Sequence, residues 1–454
     1  MSLDRRADST LPIRGPGDLT GWFRARERPP SDWKVGLEHE KIGLLAGTRD
    51  PIPYAGPRGI AAVLRGFGRW GYEPFEEEGN VIAAQCSGLT VSIEPGGQLE
   101  LSGRPFQDVH AVAAELTRHE EKCHALAEEL GLELLAVGYR PWGTPATAEW
   151  CPKVRYRVMR PFLEARGALA GDMMSMTGSA QASFDFGSER DMGEKLRVAL
   201  AVQPAVVALF ANSPVVQGRD SGWKSFRAHV WEAVDPARQG VPGFPFEPGF
   251  EQDAYRRYAE WALDVPMIFL RRQGAYRQTG GRTFRAFLAE GLDGERATLS
   301  DWEDHLTTIF TDVRVKGVVE VRGADACDAP MTMALVAFWK GLLYDRSARA
   351  EAWELVRTLS LEERRAVGSA AGRVGLAARL PDGRTLAELA ASLIEISAAG
   401  LCRQRCCGQR GQDERIWLAP LVERARSGRS PSDDALERWR RGGDAALVEH
   451  LRVA

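Results

Sequence analysis

Five glutamates fall in three short segments with strand-like alternation, and a chain built this way must bring those segments onto one surface. The segments are residues 35–42, 91–101 and 318–323. Successive side chains of a strand point to opposite faces, so residues two apart share a face. Glu38 and Glu40 therefore project together, as do Gln98 and Glu100, and Glu320 and Arg322, while Leu99, Leu101, Val319 and Val321 take the opposite face. Glu94 completes the five, beside the glycine punctuation Pro95-Gly96-Gly97. Crowded carboxylates repel one another unless a cation sits between them. Hard oxygen ligands from several strands suit magnesium, above all magnesium that also holds substrate phosphates. One such pair would be an ordinary polar edge on the wet face of an antiparallel sheet. Three point to a metal site.

A chain of 454 residues suggests a large catalytic unit or two to three domains. With 59 basic against 62 acidic residues and no aromatic-interleaved basic stripe, nucleic acid is not an expected partner. Crossing a bilayer takes roughly 20 apolar residues. The longest apolar run, residues 199–211, is interrupted by Gln203 and Pro204, so no membrane association is expected. Arg5 and Arg6 precede no apolar core, which does not read as a secretory signal. A soluble, cytoplasmic protein is the simplest expectation. Cys86, Cys123, Cys151, Cys327, Cys402, Cys406 and Cys407 are expected to be reduced and structural, since no CxxC pair with a nearby histidine completes a zinc site.

The expected organisation is α+β, an antiparallel sheet covered by helices. Residues 1–32 read as an N-terminal arm, 33–345 as the catalytic domain, and 346–454 as a helical C-terminal region packed on it. An amphipathic helix is predicted from Asp108, a plausible N-cap, to Leu130, with Gly131 at C′. A buried strand is expected over 132–139, an alternating one over 179–186, and a helix over 195–210 kinked at Pro204. Ser360 with Glu363, and Thr385 with Glu388, read as capping boxes.

Other signals carry less. Gly66-Phe67-Gly68-Arg69-Trp70-Gly71 matches GxGxxG, but its glycines end a helical segment instead of opening one, so a dinucleotide site is not expected. There is no GxxxxGK[ST] loop and no GxSxG elbow. His119, Cys123 and His124 read as a solvated helix face. His39 lies opposite Glu38 and Glu40 and is expected to pack or hydrogen-bond behind the site. Lys153, Arg155, Arg157 and Arg160 form a cationic segment around Tyr156, and Arg227 and His229 would share a face if extended. A guanidinium gives bidentate recognition of carboxylate or phosphate. Together with a carboxylate metal site, these cations suggest an acidic substrate and a nucleotide.

At these residues the sequence resembles the plant and proteobacterial glutamate–cysteine ligases, a family with the glutamine synthetase-like fold, whose curved antiparallel sheet forms a funnel. The resemblance is carried by Gly36-Leu37-Glu38-His39-Glu40-Lys41, by residues 93–103 and 152–156, by Asp172-Met173-Met174, by Ala201-Val202-Gln203-Pro204 and residues 209–214, by residues 262–267 and 301–310, and by Glu320-Val321-Arg322-Gly323-Ala324-Asp325. It covers residues 33–345 and is less distinct beyond. It implies ATP-dependent ligation of L-glutamate, through its γ-carboxylate, to the amine of L-cysteine, the first step of glutathione biosynthesis; a monomer or homodimer is expected. Glu38, Glu40, Glu94, Glu100 and Glu320 would bind Mg2+. Arg227 would clamp the glutamate α-carboxylate, Trp231, Arg155, Tyr156 and Gln181 would line the substrate and nucleotide region, and Arg322 would face the phosphates beside Glu320.

The chain departs from the plant pattern at Ser183, where asparagine stands in plants, and at Gly178, where a regulatory cysteine stands. The first leaves room for a different acceptor amine, which is the alternative reading. The second puts plant-style disulfide control in doubt. A phosphagen-type kinase shares the fold, but the Pro95–Gly103 stretch argues against it, and the presence of all five carboxylates argues against a catalytically dead relative.

Overall fold

The alternating segments assemble into one nine-stranded antiparallel sheet. In chain order its strands are β1 (Val35–Leu45), β2 (Glu73–Glu77), β3 (Asn80–Cys86), β4 (Leu89–Ile93), β5 (Leu99–Ser102), β6 (Leu132–Leu135), β7 (Ser179–Phe184), β8 (Val313–Val315) and β9 (Val319–Asp325). Across the sheet they run β8-β9-β7-β1-β5-β4-β3-β2, with β6 paired to the far end of β1. This computed structural model describes residues 11–408 and 411–454, so the first ten residues of the expected arm lie outside the described residues.

β1 is the central strand, and its alternation divides the two faces. Val35, Leu37, Ala180, Ala182, Leu99, Leu101, Val91, Val319 and Val321 are buried on the rear face. There the helices Val109–Leu130, Glu189–Phe210 and Ala329–Leu343 pack against the sheet. Each large aliphatic side chain so buried contributes about 1.5–3 kcal/mol, which fixes the register of every strand. His39 is fully buried on the same side, its Nε2 donating to Cys327 O at 2.9 Å and its Nδ1 accepting from Lys41 Nζ at 3.1 Å. It packs behind the site, as its position on the strand predicted.

Local signals hold well. Asp108 caps its helix by accepting from Ala111 N–H at 2.8 Å, and Gly131 ends it in a left-handed conformation. Both capping boxes form. Several expectations need correction. Residues 91–101 are two strands joined by a turn, and Gln98 sits in that turn instead of on a strand beside Glu100. The strand after Gly131 stops at Leu135, and the helix expected over 195–210 begins earlier, at Glu189, and runs to Phe210 with Pro204 inside it. Arg227 and His229 lie on a short helix, Phe226–Trp231, capped by Ser225, so the extended arrangement does not occur. His119 and Cys123 are not solvated: both are buried, 3.3 Å apart, with the imidazole stacked on Phe67; His124 alone is exposed. All seven cysteines are unpaired. Among the described residues no helix is long and apolar enough to cross a membrane.

Candidate active site

The front face of the sheet gathers the acids. Glu40 lies directly across from Glu100, which lies across from Ser92, two residues before Glu94 on the same face. The turn after β4 places Glu94. Its N–H donates to Gln98 O at 2.9 Å and its carbonyl accepts from Gly97 N–H at 3.0 Å. Gly97 has φ 83°, and a Cβ on Gly96 would lie 2.1 Å from Ser175 O, so neither position tolerates a side chain. The Gln98 side chain ties the turn down, accepting from Gly96 N–H and donating to Met174 O and Thr177 O.

This trio is electrostatically unbalanced. Burial, then the carboxylates of Glu100 and Glu94, push the Glu40 pKa up to about 8, against the pull of Arg227 and of the Ser179 N–H, which donates to Glu40 Oε2 at 2.8 Å. Burial and then Glu100 also raise Glu94, with Lys153 opposing. Among the described residues Glu94 Oε1 is buried without a hydrogen-bond partner, while Oε2 lies 3.4 Å from the Tyr156 hydroxyl. Glu100 Oε1 accepts from Ser102 Oγ at 3.0 Å.

A second group stands at the β8–β9 edge. Glu320 is fully buried and accepts from Arg314 Nε at 2.5 Å and Arg322 Nη1 at 2.9 Å, with Lys316 Nζ 2.5 Å away. Burial alone would raise this carboxyl, but Arg314, Lys316 and Arg322 overcome it and hold the pKa well below the usual carboxylate range. The Lys316 ammonium also reaches Glu38 Oε1 at 3.8 Å, so it lies between two carboxylates. The five predicted acids thus form two groups, Glu40 with Glu94 and Glu100, and Glu38 with Glu320.

The remaining predicted residues frame these groups. Gln181 lies across from Glu38 and accepts from Arg322 Nη1 at 2.6 Å. Tyr156 is buried at the start of the helix Tyr156–Glu164, and Arg155 precedes it, its Nε 3.2 Å from Met159 Sδ. Arg227 is buried and donates from Nη2 to Arg322 O at 2.8 Å, and its guanidinium lies 5.7 Å from the Trp231 ring. Asp325 holds the start of this helix by accepting from Ser213 Oγ at 2.6 Å and Ser225 Oγ at 2.8 Å. Arg227, Trp231 and Arg322 line a cavity of about 440 Å³ that also touches Asp312, Gln203 and Arg364.

Sequence reasoning missed Arg314, Lys316, Asp312 and Asp325. The first two were findable, because a turn around Gly317 makes 313–321 a hairpin in which Arg314 faces Glu320. Lys153, read from sequence as part of a cationic segment for an acidic substrate and a nucleotide, is buried, and its ammonium donates to Ile93 O at 3.0 Å below the Glu94 turn.

The donor set fits hard divalent cations. Glu100 is held down at about 2, but Glu40 and Glu94 are both pushed up beside it and Glu94 has an orphan buried oxygen, so these two call for positive charge. In the second group, the Lys316 ammonium stands in for a cation between Glu38 and Glu320. Among the described residues no three such side chains are already closed to ligand distance, so the trio is a charge-matched cradle and not a finished cage.

Comparison with known proteins shows the family and the fold. The sequence profile of glutamate–cysteine ligase family 2 matches residues 34–450. The chain is 36% identical over 442 residues to a chloroplastic glutamate–cysteine ligase of Medicago truncatula, covering 96% of this chain and 84% of the relative. It is 37% identical over 443 residues to that of Nicotiana tabacum, covering 96% and 82%. In fold it is similar to a glutamate–cysteine ligase of Francisella tularensis solved in complex with AMP, with TM-score 0.54, 12% identity, and coverage of 92% of this chain and 87% of that one. A bifunctional glutathione synthetase of Pasteurella multocida gives TM-score 0.53 at 12% identity, covering 96% of this chain and 52% of that one. The expected glutamine synthetase-like fold is borne out. The expected cytoplasmic location is not: these sequence relatives are chloroplastic. That expectation rested on a missing apolar segment, which does not separate the two compartments, because transit peptides are arginine- and serine-rich.

Proposed function

The chain belongs to glutamate–cysteine ligase family 2, and we propose that it joins the γ-carboxylate of L-glutamate to the amine of L-cysteine with conversion of ATP to ADP and phosphate. The observation that carries this reading is the adjacency, on one sheet face, of an acid trio in which Glu40 and Glu94 are under-neutralised and a cation-rich edge around Glu320. A carboxylate is a poor acylating agent because its oxygen leaves badly. In the proposed reaction a γ-carboxylate oxygen takes the terminal phosphoryl group of ATP and ADP departs. The cysteine amine then attacks the acyl carbon, phosphate leaves, and the nitrogen loses a proton. Such transfers between anions depend on positioning and on charge matched to the transition state.

Each group of side chains has a part in this scheme. Glu40, Glu94 and Glu100 would hold Mg2+, and Glu38 with Glu320 a second ion in place of the Lys316 ammonium. When bound, the ions supply charge neutralisation to the phosphates. Arg322, aimed by Gln181 and Glu320, faces the transferred phosphoryl group. Arg227 takes the glutamate α-carboxylate in bidentate fashion. Arg155 and Tyr156 border the nucleotide. Residues 33–345 carry these groups, and the helical region 346–454 braces them, with the helix Leu361–Val374 packed on the helices that hold Gln203 and Arg227. A different acceptor amine is the second reading, favoured by the small residues Ser183, opposite Glu320, and Gly36, opposite Ser183.

Phosphate release from ATP plus glutamate, scanned across cysteine, 2-aminobutyrate and unrelated amines with the product weighed by mass spectrometry, tests both. A cysteine-dependent burst of phosphate and a γ-glutamylcysteine mass are expected. Turnover with another amine alone would establish the second reading, and no glutamate-dependent phosphate would overturn both.

A further inference from the structure

The 440 Å³ cavity contains an acid that the reaction scheme leaves without a task. Asp312 follows the short strand Phe310–Thr311, and its backbone is fixed at both ends: its N–H donates to Gly240 O at 3.2 Å and its carbonyl accepts from Arg322 N–H at 3.0 Å. The side chain, by contrast, makes no hydrogen bond or ion pair with any described residue, although Arg227 and Arg322 line the same cavity. Both guanidiniums act on it at a distance without touching it, while burial raises its pKa to about 6. The carboxylate is only partly buried and lines the cavity, so it is free to accept from a donor on a ligand bound there. The same cavity is lined by Arg227, the proposed carboxylate clamp. An unpaired anion and a cation lining one small chamber match the two charges of an amino acid's α-carbon.

We propose that Asp312 receives the α-ammonium of the glutamate whose α-carboxylate is held by Arg227, and so sets the requirement for an α-amino acid over a plain dicarboxylate. This inference rests on the glutamate-binding reading of Arg227. Glu232, on the rim of the same cavity, adds a second negative charge but is half exposed and already within 3.7 Å of His229. It therefore has the weaker claim on the ammonium.

The probes are L-glutamate and glutarate, which lacks only the amine. The wild-type enzyme should bind glutamate at least about tenfold more tightly than glutarate in calorimetric titrations, the scale of one charge-assisted hydrogen bond. Asp312→Asn should raise the glutamate KM by about 10- to 100-fold, leave the ATP KM within about twofold, and bring glutamate and glutarate to near parity. Equal wild-type affinity for glutamate and glutarate would overturn the proposal without any variant, as would an Asp312→Asn enzyme that keeps its discrimination. A rise confined to the cysteine KM would overturn it too. Arg227→Lys is the control. If it leaves the glutamate KM unchanged, the underlying reading of Arg227 fails; if it raises that KM while Asp312→Asn does not, only the present inference fails.

Discussion

Glu40 and Glu320 are the same residue type on the same face of the same sheet, separated by a single strand, β7. Yet one is pushed up to about 8 and the other is held well below the carboxylate range. Burial acts on both in the same direction, so the difference lies in the neighbours. Glu40 faces Glu100 and Glu94, whereas Glu320 faces Arg314, Lys316 and Arg322. In the first region Glu100 is held low, but Glu40 and Glu94 are left short of positive charge and invite a cation from solution. The second supplies its own and fixes the direction of Arg322. A ligase that moves phosphoryl groups between anions needs both: somewhere to recruit ions, and a rigid cation that does not diffuse away.

The largest effect should come from the region short of charge. Glu94→Gln or Glu100→Gln should lower turnover by about 10³-fold, the scale of some 4 kcal/mol of lost transition-state stabilisation. The melting temperature of Glu94→Gln should stay close to wild type, since burial and Glu100 already push that carboxyl up; Glu100→Gln should be the less stable of the two, because the fold holds its carboxyl down at about 2. Near-normal turnover in both variants would erase the distinction between the regions. Arg314→Met should do the reverse, because it strips a buried partner from Glu320. A loss of about 3 kcal/mol in denaturant unfolding is expected, and an unchanged midpoint would mean that Lys316 and Arg322 suffice.

Arg227→Lys should raise the glutamate KM by about tenfold through loss of the bidentate contact, with the ATP KM as an internal control. The smallest effect is in protons. Because the folded pKa of Glu40, about 8, lies above its ordinary 4.5, the stability that this group contributes is complete below about 4.5 and is lost as pH rises toward 8. Binding of Mg2+ at the trio should therefore release protons between pH 5 and 8, in a fraction that falls as pH approaches 8. Titrations in buffers of different ionisation enthalpy measure this directly. No proton release at pH 6 would mean that Glu40 is already ionised in the ion-free protein.

What could be read from the chain alone was whatever depends on near neighbours in sequence. Asp108, Gly131 and the two capping boxes were legible because a cap is settled within four residues. The shared face of Glu38 and Glu40 was legible because alternation is a property of the strand itself. Burial of His119 and Cys123 was not, since it depends on Phe67, more than fifty positions away, arriving against one particular helix face. Arg227 was assigned its carboxylate role through the family resemblance, but its helical setting was missed because Ser225 was not recognised as a cap. The division of five acids into two groups also escaped notice. It is decided by which cations the β8–β9 hairpin delivers, and the sequence pattern marks the acids more plainly than their partners.

The ammonium of Lys316, resting between Glu38 and Glu320, makes loading of that pair an exchange and not a simple capture. An incoming ion must evict a tethered competitor whose local concentration is fixed by the fold. Occupancy there should lag behind occupancy of the trio as free divalent ion is raised, so the protein would fill in two stages. Chelation, in turn, would leave no pair of bare charges behind at that edge, and the emptied enzyme should remain folded and ready to reload.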